Sequence, residues 1–283
     1  MDIFKQSPVV GIIAGGGQFP VLVARAAHAR GLKVVMTGFV GHTDPLIAKE
    51  ADAFKMIHLG QLTALVNFFK KHNVVNICMA GAVSKPKALD LRPDWRAAKA
   101  LFNLARRGDN DLLSLVVREL EADNFLLFQA ADLSPDLLAP VGILTANLPD
   151  HVLQEMQYAW SVLKGIGSYD IGQAIVVKER MVIAVEAIEG TDATIKRAAE
   201  LVGEGCVLVK TLKPNQDGRT DLPALGLKTI ELLTKYKYAG LGYEAGKSLF
   251  FDVQEAIRLA EKNKLSIVGI PSEGIENLTN YNQ

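Results

Sequence analysis

Short apolar runs rich in β-branched residues alternate with amphipathic stretches through the first half of the sequence. The runs include PVVGIIA, KVVMTGFV and VVNICMAGAV, and the intervening FPVLVARAAHARG and LTALVNFFKKHN carry apolar residues at the spacing of one helix face. Strands separated by helices of this length indicate βαβ units, because two parallel strands need a crossover between them. The sequence therefore predicts an α/β fold that opens with a Rossmann-like parallel sheet.

The composition and the hydrophobic pattern of the sequence change near its middle. Residues 133–149, LSPDLLAPVGILTANLP, hold three prolines and show no long hydrophobic period. We therefore predict a Rossmann-like N-terminal domain over residues 1–132, a linker over 133–149 and a distinct C-terminal catalytic α/β domain over 150–283. Within the last of these, QAIVVKERMVIAVEAIEG predicts a hairpin that turns at Lys178–Arg180.

Charge and terminal patterns exclude several classes of protein. Lysine plus arginine and aspartate plus glutamate both total 31, and this balance argues against a general nucleic-acid binder. The first residues lack the basic start and apolar block of a signal peptide, and no stretch approaches the roughly 20 apolar residues of a membrane span. We expect a cytoplasmic protein. Cys78 and Cys206 each lie in an apolar run, which predicts buried core thiols.

A glycine-rich turn follows the first predicted strand. Gly15, Gly16 and Gly17 precede Gln18 and a helical stretch, so backbone N–H groups could face an anion there. The pattern departs from the dinucleotide fingerprint, because Pro20 stands at the third glycine position and the second strand ends without an acidic residue. A tight turn and a phosphate or nucleotide loop are both compatible with this pattern, which disfavours nicotinamide binding.

Two further loops in the first half could contact a ligand. The segment from Gly81 to Lys85 follows an apolar strand, and ligands bind beyond the carboxyl ends of parallel strands. Lys85 would offer charge to a phosphate, although an exposed lysine is more often a solvated surface residue. Asp109, Asn110 and Asp111 fit either a helix N-cap or a contact to a metal or a substrate hydroxyl, and the sequence leaves both open.

The most charged loop of the second half follows the strand CVLVK. Lys210, Lys213 and Arg219 share it with Asp217 and Asp221. Phosphoryl chemistry combines these residue types, since carboxylates hold Mg²⁺ while lysine and arginine neutralise charge in the transition state. A charged surface turn is the alternative.

A second acidic segment, from Glu186 to Asp192, lies where a predicted strand gives way to a helix. Thr191 and Asp192 could contact an anion or a metal at the start of that helix. The alternative is an acidic cap, with Thr191 or Asp192 as the N-cap residue.

Five of these segments, taken in order, resemble one enzyme family. They are residues 11–20 (GIIAGGGQFP), 170–173 (DIGQ), 187–193 (AIEGTDA), 216–223 (QDGRTDLP) and 242–246 (GYEAG). Together they resemble the UDP-2,3-diacylglucosamine pyrophosphatases of lipid A biosynthesis, in the form unrelated to the metallophosphoesterases. The resemblance extends from about residue 9 to residue 270.

This resemblance implies a two-domain enzyme that holds its lipid substrate between the domains. It implies Mg²⁺-dependent hydrolysis of UDP-2,3-diacylglucosamine to UMP and 2,3-diacylglucosamine 1-phosphate, with water directed at the sugar-side phosphorus. It also implies a substrate-binding role for Gln173, and Asp221 matches the family's essential acidic residue. One departure is Asn110, where the family pattern leads us to expect aspartate.

On this basis we assign Asp221 to magnesium or to the attacking water, with Asp217 either as a supporting ligand or as a group that contacts a ligand of the ion. Lys210, Lys213 and Arg219 would steady the pyrophosphate. The phosphate or uridine side would be held by the turn from Gly15 to Gln18 and by the loop from Gly81 to Lys85.

The acyl chains of such a substrate predict an apolar cleft between the domains and loose attachment to the inner membrane surface, because exposed CH₂ groups cost about 0.8 kcal/mol each. The sequence leaves open whether the protein forms a homo-oligomer. Two alternatives to catalysis are a nucleotide- or NAD-binding regulatory module and a phosphosugar-binding structural partner.

Overall fold

The computed structural model describes residues 7–83, 91–106, 112–169, 171–213, 219 and 222–281. The chain divides into two compact units, of which the first runs to Pro135 and includes Arg219, and the second begins at Asp136. The first unit contains a five-stranded parallel sheet, and the second contains a separate mixed sheet with helices. The predicted α/β fold class is therefore confirmed.

Strands and helices alternate along the first unit. Its strands are β1 (Val9–Ala14), β2 (Lys33–Phe39), β3 (Ala53–Ile57), β4 (Asn76–Ala80) and β5 (Leu126–Leu127), and its helices are α1 (Phe19–Ala29), α2 (Leu62–Lys71), α3 (Trp95–Arg106) and α4 (Leu112–Glu121). The sheet order is β3-β2-β1-β4-β5. Strand order thus reverses direction between β1 and β4, the kind of position at which open α/β sheets bind ligands.

The central strand β1 is buried on both faces. Val10, Ile12 and Ala14 pack in the same core cluster as the buried residues of α1, whereas Ile13 packs with Phe69 of α2 on the opposite face. This alternation follows from the two-residue period of a strand. It explains why β1 appears in the sequence as a continuous apolar run rather than as an alternating one.

The second unit is built around a six-stranded sheet and a separate two-stranded pair. The six strands are β6 (Gly142–Ile143), β7 (Ala174–Lys178), β8 (Met181–Val185), β9 (Val207–Lys210), β11 (Gly240–Glu244) and β13 (Ser266–Ile270), and the pair is β10 (Ala224–Leu225) with β12 (Leu249–Phe250). The order in the six-stranded sheet is β6-β13-β11-β9-β7-β8. Its helices are α5 (Asp150–Gly167), α6 (Thr191–Val202), α7 (Leu227–Lys235) and α8 (Val253–Lys262). Strands β9, β11 and β13 run parallel, so their carboxyl ends meet at one edge.

The predicted hairpin is confirmed in β7 and β8. Its two turn residues, Glu179 and Arg180, have φ of 52° and 54°. Two consecutive positive φ values are those of the type I′ turn, whose twist matches that of paired strands. The backbone N–H of Arg180 donates to Glu155 Oε1 at 3.0 Å, which links the turn to α5.

Both cysteines are buried with free thiols, as the sequence predicts. Burial raises the pKa of Cys78 and of Cys206, so both thiols stay protonated and unreactive at neutral pH.

Within the segment predicted to be a linker, Gly142 and Ile143 pair with β13 as the edge strand of the second sheet. Among the described helices, none has the length and apolar character needed to cross a membrane.

Candidate functional site

In the first unit, the glycine-rich turn after β1 is hydrogen-bonded to the loop that follows β4. The N–H of Gly15 donates to the carbonyl of Ala80 at 2.8 Å, and the N–H of Gly16 donates to the carbonyl of Ala82 at 2.7 Å. The N–H of Ala82 donates back to the carbonyl of Gly16 at 3.2 Å. Two of the loops singled out in the sequence are therefore joined where the strand order reverses.

Glycine is required in these loops for two different physical reasons. A Cβ atom on Gly15 would lie 2.5 Å from the carbonyl oxygen of Gly81, and one on Gly81 would lie 2.5 Å from that of Gly16. These glycines are required because the two loops approach each other closely, and Gly81 in addition has φ of +89°. Gly17 is different: its φ is +86°, and a Cβ there would meet nothing within 4 Å. The backbone is thus open to a ligand at Gly17 rather than along the whole turn.

Helix α1 begins directly after this turn. Gln18 is its N-cap residue, Pro20 lies in its first turn, and no acidic side chain is present in that turn. A proline is tolerated there because the first N–H groups of a helix have no partner within the helix. The positive end of the α1 dipole therefore lies beside Gly17 without a neighbouring carboxylate in its own first turn.

In the second unit, Lys210 is the last residue of β9 and its side chain is buried. Its Nζ atom donates to Thr191 Oγ1 at 3.0 Å and to the carbonyl of Ala224 at 3.3 Å. The hydroxyl of Thr191 donates in turn to Glu186 Oε1 at 3.1 Å. The fold thus connects predicted residues from two separate segments, Lys210 and Thr191, through one hydroxyl group.

The expected capping role of Thr191 and Asp192 is wrong. The N-cap residue of α6 is Gly190, which has φ of 82°, and α6 begins at Thr191. Because the positive φ needed at this corner favours glycine, the cap falls one residue earlier than predicted. The Thr191 hydroxyl is consequently directed to Lys210 and Glu186 instead of to the helix N–H groups.

Glu186 is a member of this cluster that the sequence analysis did not select as a site residue. Its Oε2 atom is buried and accepts no hydrogen bond from any described residue. The backbone around Glu186 is closely packed, since a Cβ atom on Gly172 would lie 2.0 Å from the carbonyl oxygen of Glu186. Gln173 lies next to this contact, and its carbonyl accepts from the N–H of Thr211 at 2.9 Å. A buried carboxylate oxygen without a donor is unfavourable unless a ligand or ion satisfies it.

A second buried carboxylate, Glu244, lies at the carboxyl end of β11 and is fully shielded from solvent. Its Oε2 atom accepts from Lys164 Nζ at 2.7 Å and from the N–H of Leu212 at 3.1 Å. Its Oε1 atom accepts from Ser272 Oγ at 3.1 Å, and Lys247 Nζ lies 3.2 Å away. Glu244 therefore anchors the start of the Lys210–Asp221 loop. Sequence reasoning missed this role, although an acidic residue ending a buried strand was a visible signal.

Two of the predicted site residues, Asp192 and Arg219, form ion pairs outside the cluster around Lys210. The carboxylate of Asp192 pairs with Lys228 of α7, with 3.1 Å between Oδ2 and Nζ, in an exposed contact between α6 and α7. Arg219, which belongs to the first unit, donates from Nη1 to Glu121 Oε1 at 3.0 Å. Lys213 is half-buried and follows the anchored Leu212.

Several predicted residues lie outside the part of the chain that the structure describes. They are Lys85, Asp217, Asp221 and the run from Asp109 to Asp111. Among the described residues, no group of three or more His, Cys, Asp or Glu side chains is placed to hold a metal ion. The described part of the site therefore offers a buried lysine, a hydroxyl and one carboxylate oxygen without a donor.

Comparison with known proteins identifies relatives of both units. Residues 9–137 match the family model described as the LpxI N-terminal domain, and residues 140–268 match the LpxI C-terminal domain. The chain is also 34% identical over 277 residues to a protein of Caulobacter vibrioides named UDP-2,3-diacylglucosamine pyrophosphatase LpxI. That similarity covers 92% of this chain and 97% of the relative.

Proposed function

Because the chain belongs to the LpxI family, we propose that this pyrophosphatase hydrolyses UDP-2,3-diacylglucosamine to UMP and 2,3-diacylglucosamine 1-phosphate in lipid A biosynthesis. The observation that carries the proposal is the extent of the similarity to the Caulobacter vibrioides enzyme, which covers 92% of this chain and 97% of that protein. A relative matched over nearly its whole length supports transfer of the entire reaction rather than of one binding domain.

The chemistry of the cluster at the end of β9 supports hydrolysis of a pyrophosphate. Lys210 is a buried cation held at a fixed position by Thr191 and by the carbonyl of Ala224. A pre-positioned cation in a site of low dielectric stabilises negative charge that develops on phosphoryl oxygens. Lys213 and Arg219 are assigned the same role toward the rest of the pyrophosphate.

The reaction breaks one phosphoanhydride bond and consumes one water. The water oxygen bonds to the sugar-side phosphorus, the bridging oxygen leaves with UMP, and the water's proton passes to a base. We assign that base to Asp221, with Asp217 supporting it, on the match of their segment to the family motif. The Gly17 turn and the loop beginning at Gly81 are assigned to the phosphate or uridine side.

Magnesium fits the donor chemistry of the site. Mg²⁺ is commonly bound by one or two carboxylates together with substrate phosphates, and Glu186 Oε2 is a buried carboxylate oxygen that receives no hydrogen bond from the described residues. Asp217 and Glu186 would hold the ion, which leaves Asp221 to act on the attacking water. When bound, it would polarise the phosphoryl oxygens and lower the pKa of a coordinated water.

Because the substrate carries two acyl chains, it resides in a membrane. We therefore include loose attachment to the inner membrane surface in the proposal, since a water-exposed chain would cost about 0.8 kcal/mol per CH₂.

The experiment is to incubate purified protein with UDP-2,3-diacylglucosamine, with Mg²⁺ or with excess EDTA, and to follow UMP by mass spectrometry. We expect UMP release that requires Mg²⁺ and is lost in Asp221→Asn while the thermal midpoint is unchanged. If wild-type protein leaves the substrate intact under every condition, the hydrolase proposal fails. Ligand binding without turnover would then favour the nucleotide- or NAD-binding module or the phosphosugar-binding partner.

A further inference from the structure

Helix α3 presents two large aromatic side chains to solvent. The side chain of Trp95 is 85% exposed and that of Phe102 is 65% exposed. They are seven residues apart, which is close to two helical turns, so they lie on the same face. Lys99 is also exposed and falls between them at the i+4 position from Trp95. We call Trp95, Lys99 and Phe102 the α3 stripe.

The opposite face of α3 already supplies the contacts that hold the helix in the first unit. Ala97, Ala100 and Leu104 are buried there. Arg96 donates to Glu119 Oε2 at 2.7 Å and also pairs with Asp123, which fixes α3 against α4. The α3 stripe is therefore not needed to complete the core.

Single exposed apolar residues are common on protein surfaces, but two aromatic rings on one face of one helix are a different pattern. The sequence of α3, WRAAKALFNLAR, contains three cations and no acidic residue, and of these cations Arg96 is paired with Glu119 and Asp123. The chain as a whole has a net charge of zero, so this positive helix is a local feature. Aromatic residues combined with Lys and Arg are typical of helices that lie in the interface of a bilayer.

We propose that the α3 stripe docks the protein on an anionic lipid bilayer. Trp95 and Phe102 would insert at the level of the headgroups, and Lys99 would contact anionic lipid phosphates. Charge complementarity selects this occupant, because the exposed cation Lys99 lies between the two aromatic side chains and favours a negatively charged surface. The inference rests on the proposed function, since a diacylated substrate resides in a bilayer and the enzyme must meet it there.

The test is flotation of the full-length protein with vesicles of three parts phosphatidylethanolamine to one part phosphatidylglycerol, and with vesicles of phosphatidylcholine alone. Wild-type protein should float with the anionic vesicles. Trp95→Ala combined with Phe102→Ala should lower bound protein by about tenfold, and Lys99→Glu alone should lower it by about fivefold. The matched control is Leu46→Ala combined with Leu201→Ala, which removes two apolar side chains that are 65% and 64% exposed outside the stripe.

A second readout separates docking from substrate binding. Turnover of detergent-dispersed UDP-2,3-diacylglucosamine by the aromatic variant should stay within about twofold of wild type, because all its reacting groups are intact. Turnover of vesicle-embedded substrate should fall with vesicle binding. Unchanged flotation of both stripe variants, an equal loss in the control variant, or an equal loss of turnover in detergent would each overturn the proposal. Flotation without any wild-type turnover would reject the proposed reaction while leaving docking in place.

Discussion

The Nζ atom of Lys164 lies 2.7 Å from Oε2 of Glu244, whose carboxylate is completely buried. The same oxygen accepts the N–H of Leu212, so a single ion pair joins α5 and β11 to the loop that follows β9. Lys164 also lies over the ring of Trp160, with 4.7 Å between Nζ and the ring centroid. The start of the loop that carries the predicted catalytic aspartates is thus positioned by charge inside the second unit.

We expect Glu244→Gln to weaken both stability and turnover. The glutamine amide replaces one acceptor oxygen with a donor, which then faces Lys164 and Leu212 or Lys247 and Ser272. Breaking a buried ion pair costs about 3 kcal/mol of unfolding free energy, and loss of the Leu212 anchor should lower kcat about tenfold. Urea unfolding and steady-state UMP release measure the two effects.

The matched control is Lys247→Met, which removes the more exposed cation from the other oxygen of Glu244. It should cost less than about 1 kcal/mol of unfolding free energy and leave kcat unchanged, because Lys247 is about half exposed and Ser272 still donates to the same oxygen of Glu244. Equal losses in both variants would show that Glu244 acts on the fold as a whole and does not position the loop.

Lys210→Met should lower kcat by about 100-fold, because it removes a fixed cation from the site while keeping the length of the side chain. Lys178→Met is the control, since Lys178 also ends a strand and its Nζ donates to a backbone carbonyl, that of Val202, at 2.8 Å. Steady-state kinetics on both variants provide the measurement. A Lys210→Met enzyme with wild-type kcat would exclude Lys210 from stabilising the transition state.

Gly17→Ala and Gly31→Ala should cost the same stability and differ in substrate affinity. Both glycines have positive φ, of 86° and 74°, and a Cβ at either position meets nothing within 4 Å. Each alanine should therefore cost about 1 kcal/mol of backbone strain. Only Gly17→Ala should also raise KM, because only Gly17 lies beside the start of α1. Identical KM values for the two variants would contradict a ligand contact at Gly17.

Gly15→Ala should be more damaging than either of these substitutions. The new Cβ would lie 2.5 Å from the carbonyl oxygen of Gly81, so the two loops would have to separate. We expect the unfolding free energy to fall by about 2 kcal/mol or more, as it does at other overpacked sites. Thermal unfolding monitored by circular dichroism checks this, and a midpoint equal to that of Gly17→Ala would refute the close approach.

Asp94 should make stability depend on pH in the acid range. Burial opposes its ionisation, but N–H donors from Ala97 at 2.9 Å and Thr63 at 2.6 Å outweigh it and hold its pKa below the ordinary value. The folded-state pKa is the lower one, so the stabilisation is present above the unfolded value of about 3.9 and is lost as pH falls through the folded value.

Asp94→Asn should therefore destabilise the protein by about 0.5 kcal/mol at pH 7 and at pH 5, because asparagine keeps a capping oxygen but loses the negative charge at the start of α3. The difference from wild type should begin to shrink below about pH 4, where the carboxyl of the unfolded chain takes up its proton, and should be smallest once the pH lies below the lowered folded-state pKa. Urea unfolding at these pH values measures it. A difference that persists undiminished at the lowest pH would mean that the charge of Asp94 is not involved.

Local patterns in the sequence were sufficient to predict the fold class. The apolar runs predict the central strands because a strand buried on both faces must be apolar at nearly every position. The hairpin turn, predicted at Lys178–Arg180 from the alternating strands on either side of it, lies at Glu179 and Arg180. The family motifs likewise lie within short segments, so each could be recognised without knowledge of the tertiary contacts.

Only the tertiary structure decided what those residues contact. Glu244 meets Lys164, which is 80 positions away, and Leu212, which is 32 away. No local period encodes such a partnership, and an acidic residue in the sequence carries no sign of whether its charge will be buried. The same holds for Gly15, whose missing Cβ is required by the backbone of the Gly81 loop. Sequence periodicity reports which face of an element is buried, whereas long-range packing determines which groups that face meets.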